Sequence, residues 1–439
     1  CKRSLYANAF SIIPHDVIPP VKTKMALFQT LKGFKDRLPA ESACWEFILA
    51  SAKATFDAYG FSMIETPIME SAELFKRSVG AATDIVEKEM YTFDDYGKSV
   101  SLRPEGTASA VRAYLEHTEL SASTPAKLYY IGPMFRRERP QAGRFRQFHQ
   151  IGAEIIGEAS PNMDIEILSL LFDFFQQMNL PNLSLEINSL GCPICRPVYR
   201  EALQLFLKEK VTTFCEDCVR RFESNPLRIL DCKKPGCKEA TKNAPEPVTA
   251  LCLECSDHFK AVREGLTLLG IPHVINSRLV RGLDYYTKTA FEMTTTNLGS
   301  QNAIAAGGRY DGLVELLGGS KTSAIGFAIG IERVVALINS NALQGKAKIG
   351  PTLFMAPLGT AANRLLLPML FSLRQKKIKT EMGNPIRSLK NQIKQADKLS
   401  AKYLLIVGDT ELQTGKGILR NMSTHAQEEV SLANPIETL

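Results

Sequence analysis

From Met134 to Ile156 the chain reads MFRRERPQAGRFRQFHQIGAEII, two strand-like arms joined by a short loop and carrying five arginines. So many guanidinium groups on one hairpin repel one another unless a polyanion is held among them. The second arm adds a further constraint. Successive side chains of a strand point to opposite faces, so Phe148, Gln150, Gly152 and Glu154 share one face, and Phe145, Gln147, His149, Ile151, Ala153 and Ile155 share the other. An aromatic, an amide, a gap and a carboxylate on one wall suit no ordinary core, because each unpaired buried polar group costs about 1–3 kcal/mol. This wall predicts a ligand or a connected polar network. A basic ribbon that binds nucleic acid without catalysis is the competing reading of the hairpin alone. His149, on the opposite face, is expected to be a packed strand residue.

A chain of 439 residues is too long for one core and suggests two or three domains. With 45% hydrophobic and 23% charged residues it is globular in composition, and it holds no apolar run of the roughly 18–20 residues that cross a bilayer. No membrane partner is expected. The formal charge of +7 lies in the tail, where 14 Lys and Arg from Lys346 onward face 7 Asp and Glu, so that the preceding residues balance. This points to a phosphate-backbone partner for the tail, against a solvated lysine-rich surface. Residues 1–24 carry three prolines, begin with Cys1 and end before Met25, and are expected to be a disordered extension.

Helical spacing runs over 41–59 with Gly60 as a stop, and over about Asp164 to Met178. Strand-like FSMIETPIM follows the first helix. Next comes a hairpin closed at Asp94 to Gly97, which leads to a helix starting at Thr107. Frequent hairpins with irregularly placed helices argue for an α+β domain built on a largely antiparallel sheet, spanning 25–345. After a linker at Ser340 to Pro351, the tail alternates strand (Thr352–Ala356), helix (Asn363–Lys376), strand near Lys379, helix (Leu389–Ser400) and strand (Tyr403–Val407). That pattern predicts a small α/β domain over 350–439 with a parallel component. A last strand is expected at Val430 to Leu432, with a terminal helix expected to be missing after it.

GFAIGIERVVALI, Gly326 to Ile338, reads as a strand broken at Gly330 into a helix with Arg333 in its first turn. Helix N-termini favour anions, and an arginine there adds a site for a terminal phosphate. Arg136 and Glu138 share a face, Gly143 turns the loop, and Arg144 stands where it reaches a second phosphate. FRRE…R…F in the hairpin and GIER at the helix start resemble motifs 2 and 3 of the class II aminoacyl-tRNA synthetases. LRPEGTA at 102–108, LVRGLDYY at 279–286 and AGGRYDGL at 306–313 resemble the histidyl-tRNA synthetase family in particular. The resemblance runs from about Phe28 to the end of the chain.

The resemblance implies a class II antiparallel sheet that binds bent ATP with Mg²⁺, and a C-terminal anticodon-binding domain. It implies a histidine–tRNA ligase whose partners are L-histidine and tRNA(His), a homodimer, and a cytoplasmic location. Arg136 and Arg281 would flank the α-phosphate as the catalytic pair. Glu138 would accept from the adenine amino group, Phe148 would stack on the base, and Arg144 and Arg333 would hold the far phosphates. Glu105, Gly106 and Thr107 would bind the amino group of histidine, with Gln150 toward its carboxylate. Glu154, Tyr285, Tyr286 and Tyr310 would enclose the imidazole. Imidazole N–H groups need acceptors, and a site built from such partners rejects apolar analogues by about 10⁴ or more, so no editing domain is required. On the residues alone, Tyr285 and Tyr286 remain open to a core role for one of them, since strand neighbours face opposite ways. Two rivals share parts of this pattern: a regulatory paralogue of the first enzyme of histidine biosynthesis, and a zinc-stabilised RNA-binding protein with an inactive synthetase core.

Residues 192–258 form a cysteine-rich insertion. Cys192/Cys195, Cys215/Cys218 and Cys252/Cys255 are CxxC pairs, and Cys232/Cys237 are separated by four residues. Such spacing fits structural Zn²⁺. Eight thiolates allow two four-cysteine sites or one site with spare cysteines, and a reduced metal-free cluster is the alternative. The metal would hold the insertion over the acceptor end of tRNA.

Overall fold

The computed structural model describes residues 28–80, 83–122, 124–139, 144–283, 285–298, 302–338 and 350–433. The expected extension over 1–24, the turn at Gly143 and most of the linker lie outside them. In chain order the strands are β1 (Ser62–Met63), β2 (Met69–Ser71), β3 (Tyr91–Asp95), β4 (Lys98–Leu102), β5 (Ala126–Phe135), β6 (Gln147–Ile156), β7 (Leu183–Ser189) and β8 (Val274–Ile275). They continue as β9 (Thr287–Thr295), β10 (Ala303–Arg309), β11 (Ala324–Gly330), β12 (Leu353–Pro357), β13 (Thr380–Met382), β14 (Tyr403–Val407), β15 (Lys416–Asn421) and β16 (Gln427–Ser431).

Eight strands form one sheet in the order β1-β5-β6-β11-β10-β9-β7-β8. Its five inner pairs are antiparallel: β5 with β6, β6 with β11, β11 with β10, β10 with β9, and β9 with β7. Only the edge strands β1 and β8 pair in parallel. An antiparallel sheet with helices against it is what the resemblance implies. Ile151, Ala153 and Ile155 of β6 are buried against a helical layer drawn from Pro39–Ala58, Pro161–Gln177 and Leu253–Leu268. Pro39 and Pro161 open the first two of these helices, where a missing N–H costs nothing. In Pro39–Ala58 the core-facing residues Trp45, Ile48, Ala52 and Phe56 recur at helical spacing. The opposite face of β6 is left for the site.

Beside this sheet, β2, β4 and β3 form a small antiparallel one. The β3–β4 turn closes with Asp95 opposite Lys98, and the two residues between, Tyr96 and Gly97, have φ of 50° and 80°. Positive φ at both centres is what a tight two-residue hairpin demands. The FSMIETPIM run forms only the short β1 and β2 rather than one strand, because Pro67 lies between them.

The tail forms a separate five-stranded sheet in the order β13-β12-β14-β15-β16. Both β13 and β14 run parallel to β12, and β15 and β16 are antiparallel additions. Leu353 and Met355 pack toward the helix Thr360–Gln375, while Phe354 and Ala356 pack with Ala396 of the helix Leu389–Lys398. Burial on both faces explains the uninterrupted apolar runs of these strands.

One fully buried ion pair ties the helical layer to the sheet. Arg309 at the end of β10 donates from Nε to Asp164 at 2.7 Å, and His258 of the helix Leu253–Leu268 lies 3.2 Å from the other oxygen. Burial alone would raise the Asp164 carboxyl, but His258 and the Arg309 charge hold it below its ordinary value. Asp164→Ala would leave the buried guanidinium with Asp311, at 3.3 Å, as its remaining carboxylate partner, and is expected to cost about 3 kcal/mol in urea unfolding, the low end for breaking a buried pair.

Candidate active site

Cross-strand register builds the site. On β6, Gln150, Gly152 and Glu154 stand opposite Gly330, Ala328 and Gly326 of β11, and opposite Gly132, Tyr130 and Leu128 of β5. The gap at Gly152 is not empty. The ring of Tyr130 fills it so closely that a Cβ on Gly152 would lie 2.2 Å from the ring, and a Cβ on Gly106 would meet the same ring at 2.2 Å. A Cβ on Gly326 would fall 1.7 Å from a Glu154 oxygen. Three missing side chains therefore make room for one phenol and one carboxylate.

Glu154 is fully buried and saturated. It accepts from Thr107 Oγ1 at 2.8 Å, from Tyr130 at 3.1 Å, and from the Tyr310 hydroxyl. Burial pushes its carboxyl up to about 8; the hydroxyls of Tyr310 and Thr107 work against that shift, and the neighbouring Glu105 charge adds to it. Burial also raises the phenols of Tyr130 and Tyr310 well above their ordinary value, so they remain donors. Tyr130 is the residue that alternation on β6 alone does not reveal. It becomes visible only when β5 is set against β6 in register.

A cavity of about 290 Å³ opens beside this cluster. Arg136, Arg144, Arg281 and Arg333 all line it, and so do Glu138 and Phe148. Arg136 donates from Nε to the Pro104 carbonyl at 2.8 Å and lies over the Phe148 ring at 5.3 Å. Arg144 pairs with Glu138 at 2.6 Å. Arg281 pairs with Glu292, a residue the motif strings do not contain, and lies 5.2 Å from the Tyr286 ring centre. Its Nε is buried without a hydrogen-bond partner. Arg333 donates to the Ala303 carbonyl, and burial followed by the nearby Arg144 charge lowers its affinity for its own proton.

Gln150, Glu105, Thr107, Tyr285 and Tyr286 line the other half of the cavity. The Gln150 Oε1 is buried and unpaired. Glu105 accepts from the Thr107 and Ala108 amides at 2.7 and 2.9 Å, holding the first turn of the helix Thr107–Glu116. Tyr285 and Tyr286 do not face opposite ways. Strand β9 starts only at Thr287, so no alternation applies, and their rings lie 4.6 Å apart on the same cavity. For the same reason Phe145, two residues before β6, reaches the cavity wall from which alternation would exclude it. Glu154 and Tyr310 do not line the cavity; they stand one layer behind Thr107. His149 is turned away. Its amide donates to Glu332 at 2.9 Å, and its ring meets Trp45 edge-on at 5.0 Å.

The eight insertion cysteines fall into two quartets, Cys192/Cys195/Cys252/Cys255 and Cys215/Cys218/Cys232/Cys237, with the sulfurs of each within 4.8 Å of one another. All are free thiols. Burial opposes ionisation of Cys192, but amide donors at Cys195 and Ile194 and neighbouring thiols bring it to about 7. Burial and the neighbouring sulfurs push Cys218 and Cys255 up. Four thiolates so close coexist only around a cation. Tetrahedral Zn–S bonds of about 2.3 Å require sulfurs about 3.8 Å apart, and the observed Cys192–Cys195, Cys192–Cys252 and Cys215–Cys232 separations are 3.7, 3.9 and 3.9 Å. The donor sets fit zinc.

No described helix is long and apolar enough to cross a membrane. Residues 33–334 match the family model described as histidyl-tRNA synthetase, and residues 355–439 match the anticodon binding domain model. The chain is similar to the histidine–tRNA ligase of Desulfatibacillum aliphaticivorans, at 50% identity across 92% of this chain and 97% of that one. The histidine–tRNA ligase of Trichlorobacter lovleyi is 51% identical across 92% and 95%. Among solved structures, apo histidyl-tRNA synthetase of S. aureus superposes with a TM-score of 0.79 at 37% identity, covering 94% of this chain and 99% of that one.

The raised Glu154 carboxyl gives a pH signature. Below its unfolded value near 4.5 the group is protonated in both states, and its stabilising effect is fully present. As pH rises toward about 8 the unfolded chain releases this proton before the folded one does, so stability declines through that window. Glu154→Gln is expected to flatten the decline between about pH 5 and 8 in ligand-free denaturation.

Proposed function

This chain belongs to the histidyl-tRNA synthetase family, and from that premise we propose how its residues divide the work. It is an ATP-dependent ligase that joins histidine to tRNA. In the first half-reaction a histidine carboxylate oxygen bonds to the α-phosphorus of ATP, and the bond to the bridging oxygen breaks, so that pyrophosphate leaves. Two anions must approach each other for this to happen. Fixed cations supply that stabilisation without rearranging, and no side-chain nucleophile is needed.

Arg136 and Arg281 flank the α-phosphate from two sides, while Arg144 and Arg333 take the far phosphates of the Mg²⁺ complex of ATP. Phe148 stacks on adenine and Glu138 accepts from its amino group. Both pairings imply an exchange of partners, because Glu138 now holds Arg144 and Glu292 now holds Arg281. Glu105 and Thr107 receive the amino group of histidine, Gly106 lets Tyr130 approach, and the unpaired Gln150 faces the substrate. Tyr285 and Tyr286 wall the imidazole. Glu154 and Tyr310 stand behind this wall and bear on the imidazole through the Thr107 hydroxyl, the donor to Glu154 that lines the cavity. The terminal ribose hydroxyl of tRNA then takes the acyl group, releasing AMP and the hydroxyl proton. The observation that carries this assignment is the convergence of four guanidiniums on one cavity beside a tyrosine-and-carboxylate cluster.

Residues 25–345 act as the catalytic domain and 350–439 as the anticodon-binding domain, whose net positive charge suits an RNA backbone. A cytoplasmic homodimer is the working form, as for class II enzymes of this kind. Each cysteine quartet holds a structural zinc ion that braces the insertion and takes no part in the chemistry.

Histidine-dependent exchange of pyrophosphate into ATP tests the assignment. Arg281→Ala is expected to lose most of the exchange, roughly 10²-fold or more, while binding ATP; full activity in this variant would refute its role. Metal analysis of the purified chain under reducing conditions is expected to find two zinc ions, and finding none would remove the zinc assignment.

A further inference from the structure

The segment between Ile275 and Thr287 carries Arg281 and, among its described residues, belongs to no strand or helix. The sheet holds its start and the Arg281 side chain itself: the Asn276 amide donates to the Ile187 carbonyl of β7 at 3.0 Å, Asn188 of β7 donates to the Leu279 carbonyl at 3.0 Å, and Glu292 of β9 pairs with Arg281. The insertion grips it on both sides of Arg281. Three residues before, Arg278 donates to the Thr241 carbonyl at 3.0 Å, to the Thr241 hydroxyl at 2.7 Å and to the Leu230 carbonyl at 3.2 Å. One residue after, the Gly282 carbonyl accepts from Arg228 at 2.8 Å.

Every insertion group in this clamp belongs to the second cysteine quartet's fold. Arg228 and Leu230 lie between Cys218 and Cys232, and the Thr241 hydroxyl donates to the Cys237 carbonyl at 2.9 Å. Leu279 and Val280 are buried in the same apolar cluster as Ile229, Leu230 and three of the four cysteines. The insertion is anchored in turn. Arg221 pairs with Asp84 at 3.0 Å, and a few residues on the Glu89 carbonyl accepts from the Arg137 amide at 2.7 Å. The chain thus closes a ring around the cavity, from the hairpin of Arg136 through Asp84 and the insertion to Arg281.

We infer that Arg228 and Arg278 are positioning residues for the adenylation step: through them the insertion fixes where the Arg281 side chain stands relative to Arg136. Resting on the role given to Arg281 above, this assigns the insertion a part in the first half-reaction, before any tRNA is bound. Preorganised cations work by being in place before charge develops, and misplacement by about 1 Å costs as much as 10²-fold in rate. A carbonyl held by a guanidinium on each side of Arg281 limits such movement.

Histidine-dependent pyrophosphate exchange, measured on the full chain without tRNA, separates this from a merely structural role. Arg228→Met is expected to lower kcat about tenfold with KM for ATP and for histidine changed less than about twofold, and Arg228→Lys to recover most of the loss. Arg278→Met should behave alike, so the test does not rest on one variant's folding. The decisive measurement is in the Arg281→Ala background. There, adding Arg228→Met or Arg278→Met should change the residual rate little, because nothing remains to be positioned. The inference is overturned if each substitution slows the Arg281→Ala enzyme by the same factor as the wild type, or if kcat is unchanged. Wild-type rates in Arg281→Ala itself would instead overturn the role of Arg281, a distinguishable result.

Discussion

Four like charges around one cavity are unfavourable until something negative lies among them, and the rest of the catalytic domain is arranged to tolerate that condition. Each guanidinium is pinned by a different device. Arg136 has a carbonyl and an aromatic face, Arg144 has Glu138, Arg281 has Glu292 and the Tyr286 ring, and Arg333 has the Ala303 carbonyl. On the assignment proposed above, Glu138 and Glu292 hold the places that phosphate oxygens would take. Binding then exchanges one anion for another instead of ordering free side chains, which keeps the reorganisation at the moment of reaction small. The antiparallel register is what makes this possible, since it sets Gly330, the start of the Arg333 helix, directly opposite Gln150 of the hairpin strand.

The half of the cavity beside Glu154 is built by subtraction. Gly106, Gly152 and Gly326 come from three different elements, and each gives up a Cβ so that Tyr130 or Glu154 occupies its place. A buried carboxylate with three hydroxyl donors is a network of the kind that is favourable only when complete. The arginine-lined half and the half beside Glu154 therefore obey different rules. One holds charge in reserve, and the other has its polar groups nearly satisfied except at Gln150.

Much of this was legible in the sequence because it depends on local period. Alternation on β6 placed Gln150 and Glu154 on one side and His149 on the other, and the glycine break at Gly330 marked the strand-to-helix turn before Arg333. Where the period stops, so does its authority: Phe145, Tyr285 and Tyr286 lie just outside strands, and all three reach the cavity. What depends on register between distant segments stayed hidden. The fit of Tyr130 into the Gly152 gap, the pairing of Arg281 with Glu292, and the sorting of eight cysteines into quartets are facts about neighbours in space, which spacing along the chain does not encode.

The sorting of the cysteines also sets an order of events. The quartets are nested: Cys215 to Cys237 is enclosed between Cys195 and Cys252, so the inner four meet by closing a much shorter stretch than the outer four. Short loops cost less entropy to close, though only logarithmically so. Chain synthesis reinforces the difference, since Cys237 emerges from the ribosome before Cys252 does. The inner four can thus meet while the outer set still lacks half its cysteines, and a nascent chain sorted in this sequence avoids mixed quartets in which a sulfur of one set is captured by the other.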